Sequence, residues 1–163
     1  MADVNLEKRA VEVYETLCAA LDKLNFKYEK EGKDSDGDYT VRFSGVGEDL
    51  PMEFVMFCDV NRQLVRVMSQ MPFKFSPEKR VEGALVTCRA NYMMVDGNFD
   101  YDFETGKVIF KITTSYRDSL IDQELLLYMV RLAISMVDEF NDKFFAVDKG
   151  LMSVDDFMQK YKS

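Results

Sequence analysis

The stretch from Ser76 to Tyr116, SPEKRVEGALVTCRANYMMVDGNFDYDFETGKVIFKITTSY, predicts a helix followed by a β-hairpin. A helix start is favoured because Ser76 can cap, Pro77 suits the first helical position and Glu78 complements the dipole. Gly83 inside this helix indicates close backbone packing. An apolar stripe at helical spacing runs along it: Val81, Ala84, Leu85, Cys88 and Tyr92.

The second half of this stretch carries the signals of a hairpin. Phe99, Tyr101 and Phe103 alternate with Asp100 and Asp102 before the Thr105-Gly106 turn. The returning strand continues the alternation at three apolar positions: Val108, Phe110 and Ile112. We therefore expect two antiparallel strands between Asn98 and Ser115.

A helix and four strands are predicted before this stretch. Leucines and other apolar residues recur every three or four positions from about Asn5 to Leu24, which is typical of a helix docked on a sheet. Strands follow at Phe26–Glu31, Tyr39–Phe43, Met52–Val60 and Gln63–Met71. Because MEFVMFCDV (52–60) is almost continuously apolar, we expect both of its faces to be covered, either by this chain or by another molecule.

The sequence KDSDGDYT from Lys33 to Thr40 could be a calcium loop or a turn. With Asp34 as the first position of an EF-hand loop, Asp36 and Asp38 fall at the third and fifth. The glycine comes two residues too early, however, and Asp36-Gly37 is a strong hairpin signal. We therefore predict a turn and no metal site.

A long apolar helix is predicted near the end of the chain. Ser119 to Asp122 has the form of a capping box, and LLLYMVRLAISMV (125–137) is apolar nearly all round. Such a helix is buried on more than one side, so its second side meets either the chain itself or a partner. A last short helix is predicted at 153–161, where Ser153 can cap, and it either covers the core or binds a partner.

The net charge of −8 disfavours two classes of partner. Nucleic acid and anionic membranes are disfavoured, because binding them needs a cationic patch. Cys18, Cys58 and Cys88 form no CxxC pair, which fits reduced thiols in the cytoplasm. We expect no nucleic-acid or membrane partner and a cytoplasmic location.

The chain contains no histidine. Ser-His-Asp and Cys-His catalysis and His-ligated metal sites are therefore excluded. The sequence shows neither a GxxxxGK[ST] phosphate loop nor a GxGxxG fingerprint. These absences do not exclude carboxylate-pair or Ser/Lys chemistry, but no spacing singles out such a pair. We predict a protein that is not an enzyme, with no catalytic residue and no cofactor.

The stretch from Ser76 to Tyr116 resembles the YbjN family of bacterial proteins, sometimes described as sensory transduction regulators. The resemblance rests on the helix ending at Asn91, the entry to a strand at Gly97-Asn98-Phe99, and the hairpin that follows. It implies a fold like that of type III secretion chaperones, with helices on a twisted antiparallel sheet of five to six strands, in the order α-β-β-β(β)-α-β-β-α. Those chaperones are small, acidic, often dimeric and cytoplasmic.

The three family positions also have structural interpretations. Gly97 supplies a positive φ or a close backbone approach. Asn91 ends its helix through its side chain, and Phe99 lies in the core.

The sequence thus predicts a single α+β domain over 1–163. Its segments are an N-terminal helix (1–25), strands (26–75), a helix (76–94), a hairpin (97–115), a long helix (119–146) and a short helix (153–161). We expect a protein-binding module, chaperone-like or regulatory, that binds a protein partner and forms a homodimer. The alternative is a small-molecule or ion sensor with an apolar pocket between sheet and long helix. The candidate partner or dimer surface is Leu125, Tyr128, Leu132 and Met136.

Overall fold

The structure, a computed structural model, describes residues 2–47, 51–119 and 121–162. Within these ranges four α-helices are present: α1 (Ala2–Lys23), α2 (Arg80–Met93), α3 (Gln123–Asp148) and α4 (Val154–Lys160). Six strands accompany them: β1 (Tyr28–Lys33), β2 (Tyr39–Val46), β3 (Pro51–Asp59), β4 (Leu64–Lys74), β5 (Asn98–Asp102) and β6 (Lys107–Ser115).

The strands form one antiparallel sheet in the order β1-β2-β3-β4-β6-β5. This confirms the predicted α+β class and a sheet of six strands. The first strand begins at Tyr28, two residues later than predicted, and lies at one edge. The Ser76–Tyr116 stretch supplies α2 and the β5–β6 hairpin, so β5 is the opposite edge.

The helices cover one face of the sheet. The paired positions Phe43, Phe54, Ser69, Phe110 and Phe99 run across all strands from β2 to β5 on this face, and each is at most 2% exposed. The core between them and α3 is aromatic, with Phe99 and Phe144 ring centroids 5.3 Å apart. This packing fixes α3 across the sheet.

One face of β3 is buried under the helices, and its other face is half-buried among the described residues of this chain. Val55 and Phe57 point to the face without helices, and they are only half-buried. Arg42 on β2 and Met68 on β4 flank Val55 in register, so long neighbouring side chains shield it in place of a second layer.

Two helix starts differ from the predictions. Pro77–Lys79 forms a 3₁₀ turn, α2 begins at Arg80, and the Ser76 side chain makes no capping bond. Its N–H instead donates to Asp148 Oδ1 (2.7 Å). The N-cap of α3 is Asp122, which accepts a bond from Leu125 N (2.9 Å); Leu120 of the predicted capping box lies outside the described residues.

The apolar stripe of α2 also behaves unexpectedly. Its buried residues are Gly83, Val86, Thr87 and Ala90, whereas Val81, Leu85, Cys88 and Tyr92 are exposed. The small residues lie inside because the helix approaches the sheet closely. A Cβ at Gly83 would lie 2.7 Å from Phe75 and from the Tyr101 hydroxyl.

Candidate functional site

A groove of about 430 Å³ lies between α3 and the segment that joins α2 to β5. Three residues of the surface predicted from the sequence line it: Tyr128, Leu132 and Met136. The fourth, Leu125, is half-buried and is not among the lining residues. The remaining lining residues are Met93, Met94, Val95, Asp96, Glu139, Phe140 and Tyr161.

The helical repeat of α3 places this lining. Tyr128, Leu132 and Met136 are four residues apart and therefore share one side of the helix. A second side of the helix, about 130° from the first, is buried against the sheet and includes Val130, Ala133 and Val137. A side that is apolar but not covered by the sheet is thus presented toward residues 93–96.

A tyrosine–carboxylate hydrogen bond closes each end of the groove. Tyr128 donates its hydroxyl to Asp96 Oδ2 (2.5 Å), and this bond raises the pKa of Tyr128. At the other end Tyr161 donates to Glu139 Oε1 (2.7 Å). Burial and then this bond raise the pKa of Tyr161 above its usual value. Both tyrosines are therefore protonated donors at neutral pH.

The charged residues that line the groove are both acids. A hydrogen bond from Lys143 (2.6 Å) holds the pKa of Glu139 below its usual value. Asp96 is exposed and, among the described residues, bonds only the Tyr128 hydroxyl. The Asp96 end therefore carries a negative charge with no cation against it.

The groove floor can adapt and its rim is apolar. Met93, Met94 and Met136 are flexible and fit irregular surfaces. Val95 is 97% exposed, and Tyr128 is 44% exposed. Exposed apolar residues around a concave apolar surface are typical of a protein-binding site.

A family model for YbjN, described as "Putative bacterial sensory transduction regulator", matches residues 14–146. The chain belongs to the YbjN family. Among solved structures, the E. coli protein described as "YbjN, a putative transcription regulator" is similar, with a TM-score of 0.52 and 13% identity. The match covers 80% of this chain and 92% of that chain, and it shows a common fold. No curated protein sequence matches the chain.

In this YbjN-family chain, Asn91, Gly97 and Phe99 hold the groove segment in place. We expected the Asn91 side chain to bond the end of its own helix, but it bonds the backbone of Phe99 instead. Its Nδ2 donates to Phe99 O (2.9 Å), and its Oδ1 accepts from Phe99 N (2.7 Å). Gly97 has a φ of +76°, and a Cβ there would lie 2.6 Å from Phe110 Cζ. Residues 93–96 are thus anchored at both ends.

The other candidate sites are weaker. A polar depression of about 530 Å³ lies beside α1, but its Arg9 already donates to Ser119 O. Within Lys33–Thr40, residues 34–38 form the turn between β1 and β2, in which Asp34 Oδ1 accepts from Asp36 N and Asp38 N. Among the described residues no cluster of acids or cysteines could hold a metal ion.

The interface between the sheet and α3 is filled by side chains. Val67, Phe110, Val130 and Val137 are each fully buried there. The described part of the chain thus gives the alternative of a pocket-based sensor no support at this position. In the same ranges no helix has the length and apolar character needed to cross a membrane.

Proposed function

We propose that the chain is a regulatory protein that works by binding a segment of another protein in the groove beside α3. The observation that carries this proposal is the uncovered apolar lining, which joins Tyr128, Leu132 and Met136 of α3 with Met93 and Met94. The family's description as a regulator supports a regulatory role. Binding of the chaperone type, in which the partner segment is held extended, would use the same surface.

The negative charge of the groove restricts the kind of partner segment that can bind there. Asp96 and Glu139 lie at the two ends of the groove. Tyr128, which bonds Asp96, and Glu139 are eleven residues apart on α3, so the two ends are separated by about 16 Å along the helix. A segment with apolar residues in its centre and a Lys or Arg at its end complements this arrangement. A second copy of this acidic groove would not, because like charges would meet.

The protein acts by binding and not by catalysis in this proposal. Its tyrosines and cysteines with shifted pKa values are donors or core residues, and burial raises the pKa of Cys58 to about 12. Such a thiol is a poor nucleophile at neutral pH. Buried, unpaired Cys18 and Cys58 also support a place in the bacterial cytoplasm.

Site-specific photo-cross-linking in the bacterial host tests the proposal. A benzophenone amino acid replaces Tyr128 in the groove, and the matched control replaces Thr113, which is exposed on the face of the sheet without helices. We expect one discrete adduct with a different protein from position 128, absent from position 113. Met136→Lys should abolish it.

The identity of the adduct decides the outcome. A cross-linked segment with apolar residues flanked by Lys or Arg supports the proposal, provided that the Asp96→Asn variant binds a synthetic peptide of that segment more weakly than the unaltered chain does. An adduct with a second copy of the chain, equal adducts from both positions, or no adduct would overturn it.

A further inference from the structure

The last helix, α4, covers an aromatic surface at one end of the groove. Phe157 of α4 is fully buried, and its ring stacks on that of Phe144 of α3 with 5.9 Å between the ring centroids. Tyr161, one turn later, stacks on Phe140 at 5.2 Å. Since Phe140 and Tyr161 both line the groove, the apolar surface of the groove continues beneath α4.

Polar groups on α2 and α3 hold the end of α4. Arg89 of α2 is half-buried and donates to the backbone oxygen of Tyr161, and the Tyr92 ring lies 5.2 Å from its guanidinium carbon. A guanidinium fixed at this place suits the C-terminal carbonyls of a docked helix. On α3, Glu139 accepts the Tyr161 hydroxyl at 2.7 Å. The surface beneath α4 thus binds a helix through both its apolar side and its C-terminal end.

α4 depends on this surface for its helical form. It has only seven residues, Val154–Lys160, and a helix of that length is not stable alone in water. The connection that leads to it is exposed, with Leu151 79% exposed and nothing within 4 Å of a Cβ built at Gly150. The residues that match the family model end at 146, before α4 begins. α4 is therefore a short segment that follows the matched fold and is held by its contacts with α2 and α3.

α4 also has the chemistry that the groove favours in a partner. Phe157, Met158 and Tyr161 form its apolar side, and Lys160 and Lys162 lie at its C-terminal end. An apolar segment with a basic end is what the acids of the groove complement. α4 thus resembles the partner segment proposed above, in helical form.

We propose that α4 is a resident occupant of the partner-binding site, and that the partner is an amphipathic helix that displaces it. The partner helix carries two aromatic residues four positions apart, in the places of Phe157 and Tyr161, and a basic residue near its C-terminal end. Its last carbonyls bond Arg89, and its rings stack on Phe140 and Phe144. This inference rests on the proposed function and adds the class of partner and the competition that controls access.

Hydrogen exchange of the unaltered chain tests whether α4 opens by itself. The amides of Phe157 and Tyr161, which bond Ser153 O and Phe157 O, report on α4, and the amide of Val137 reports on the centre of α3. We expect the α4 amides to be protected at least about tenfold less than that of Val137, through a local opening. Equal protection would overturn the proposal, because α4 would then leave only when the whole chain unfolds.

A peptide of α4 is the probe for the vacated surface. A labelled peptide with the sequence of residues 152–163 is titrated into the Phe157→Ala chain, whose own α4 is weakened, and binding is followed by fluorescence anisotropy. We expect a dissociation constant of about 10–100 µM, because a tethered segment has an effective concentration in the millimolar range. The unaltered chain should bind the peptide at least about tenfold more weakly, since its own α4 competes. A peptide with alanine at both aromatic positions should bind neither chain.

Two further variants keep the test decisive. Tyr161→Ala also loosens α4 but removes only a half-buried side chain, so it replaces Phe157→Ala if circular dichroism shows that the latter unfolds. Adding Arg89→Ala to the receiving chain should weaken the peptide by about tenfold, because a charged hydrogen bond is lost. Adding Arg62→Ala, an exposed arginine in the β3–β4 turn, is the matched control and should leave binding unchanged.

Two results of the titration would overturn the proposal: no binding of the peptide to either loosened chain, or binding that persists without its aromatic residues. Either failure leaves the groove standing if Tyr128 still forms its adduct with a different protein. If the peptide binds but Tyr128 forms no adduct, the proposed function fails while the helix site beneath α4 remains.

Discussion

Asn91 illustrates how one side chain can take the place of a strand. β5 is an edge strand, and its outward backbone groups at Phe99 would otherwise lack a partner. The side-chain amide of Asn91 offers a donor and an acceptor to this one residue, as a neighbouring strand would. An exposed edge invites pairing with other chains, so this bond also limits aggregation.

Removal of the Asn91 amide should therefore cost more than a typical surface change. We expect Asn91→Ala to lower the free energy of unfolding by about 1–3 kcal/mol, because two partly buried backbone groups lose their partner. Urea unfolding measures the loss, and faster hydrogen exchange at the Phe99 amide locates it. Asn98→Ala, which removes only a bond to Asp100 on the same strand, serves as the control and should change stability by less than about 0.5 kcal/mol.

Gly97 is constrained by a positive φ and by the close approach of Phe110, whereas Gly150 has a positive φ alone. Gly97 and Gly150 have φ values of +76° and +69°, but nothing lies within 4 Å of a Cβ built at Gly150. We expect Gly150→Ala to cost about 1–2 kcal/mol for the left-handed backbone alone. Gly97→Ala should cost about 1–3 kcal/mol more, because its methyl group meets Phe110. Equal losses in thermal or urea unfolding would show that Phe110 moves aside freely.

At the scale of elements, the sequence predicted which helices and strands exist better than which side each one buries. Alternation and turn residues were sufficient to find the β5–β6 hairpin. On α2 the larger apolar residues form the stripe that periodicity detects, yet the buried side is the one with Gly83 and Ala90. Close approach to Phe75 and Tyr101 decides this, and it depends on tertiary contacts that no local pattern contains.

Only one wall of the groove could be predicted from the sequence, because the other wall depends on tertiary contacts. The apolar surroundings of Tyr128, Leu132 and Met136 exceed what one sheet can cover, and this excess is visible in the sequence. The opposite wall, residues 93–96, could not be assigned, because it is a connection whose position follows from Asn91 and Gly97. Its signal was the Met-Met-Val run itself, which is unusually apolar for a loop.

Adjacent residues of α3 give a test of which side faces the groove. Met136 is half-buried in the groove wall, whereas Val137 is fully buried against the sheet. We expect Met136→Lys to lower stability by only about 1 kcal/mol, because a lysine can extend along the groove to water. Val137→Lys should cost more than about 4 kcal/mol, because its charge has no route to solvent.

Urea unfolding of the two variants checks this difference, and cross-linking from Tyr128 adds a second readout. Met136→Lys should keep the fold and lose the partner adduct. If it unfolds the chain as severely as Val137→Lys, the groove is closed in solution.

At the scale of the whole molecule, the two faces of the sheet differ, because helices cover one face and the other is open. The open face carries positive and negative side chains, including Arg42, Glu53 and Lys111. These charged side chains lie over half-buried apolar residues. Long side chains protect it, so the helix side is left as the place where apolar groups reach solvent. α2 and the groove both lie there.

Asp148 joins distant parts of this layer, and its ionisation should therefore be visible in global stability. Burial raises its pKa, but hydrogen bonds from Lys149 Nζ and from Ser76 N–H, 72 residues away, outweigh that effect and lower the pKa below 3.8. The folded state thus favours the carboxylate. The contribution to stability is complete well above pH 3.8 and is lost as the pH falls through the lowered value.

We expect Asp148→Asn to be less stable than the unaltered chain at pH 7, by about 1–3 kcal/mol, because a buried charged hydrogen bond is weakened. The difference should begin to shrink as the pH falls below about 4, where the unfolded carboxyl takes up a proton, and should shrink further as the pH falls through the lowered pKa of the folded state. Urea unfolding between pH 7 and pH 3 measures it. Glu104→Gln removes an exposed carboxylate in the β5–β6 turn and should show no such convergence. A constant difference across the range would mean that the pKa of Asp148 is the same in the folded and unfolded chains.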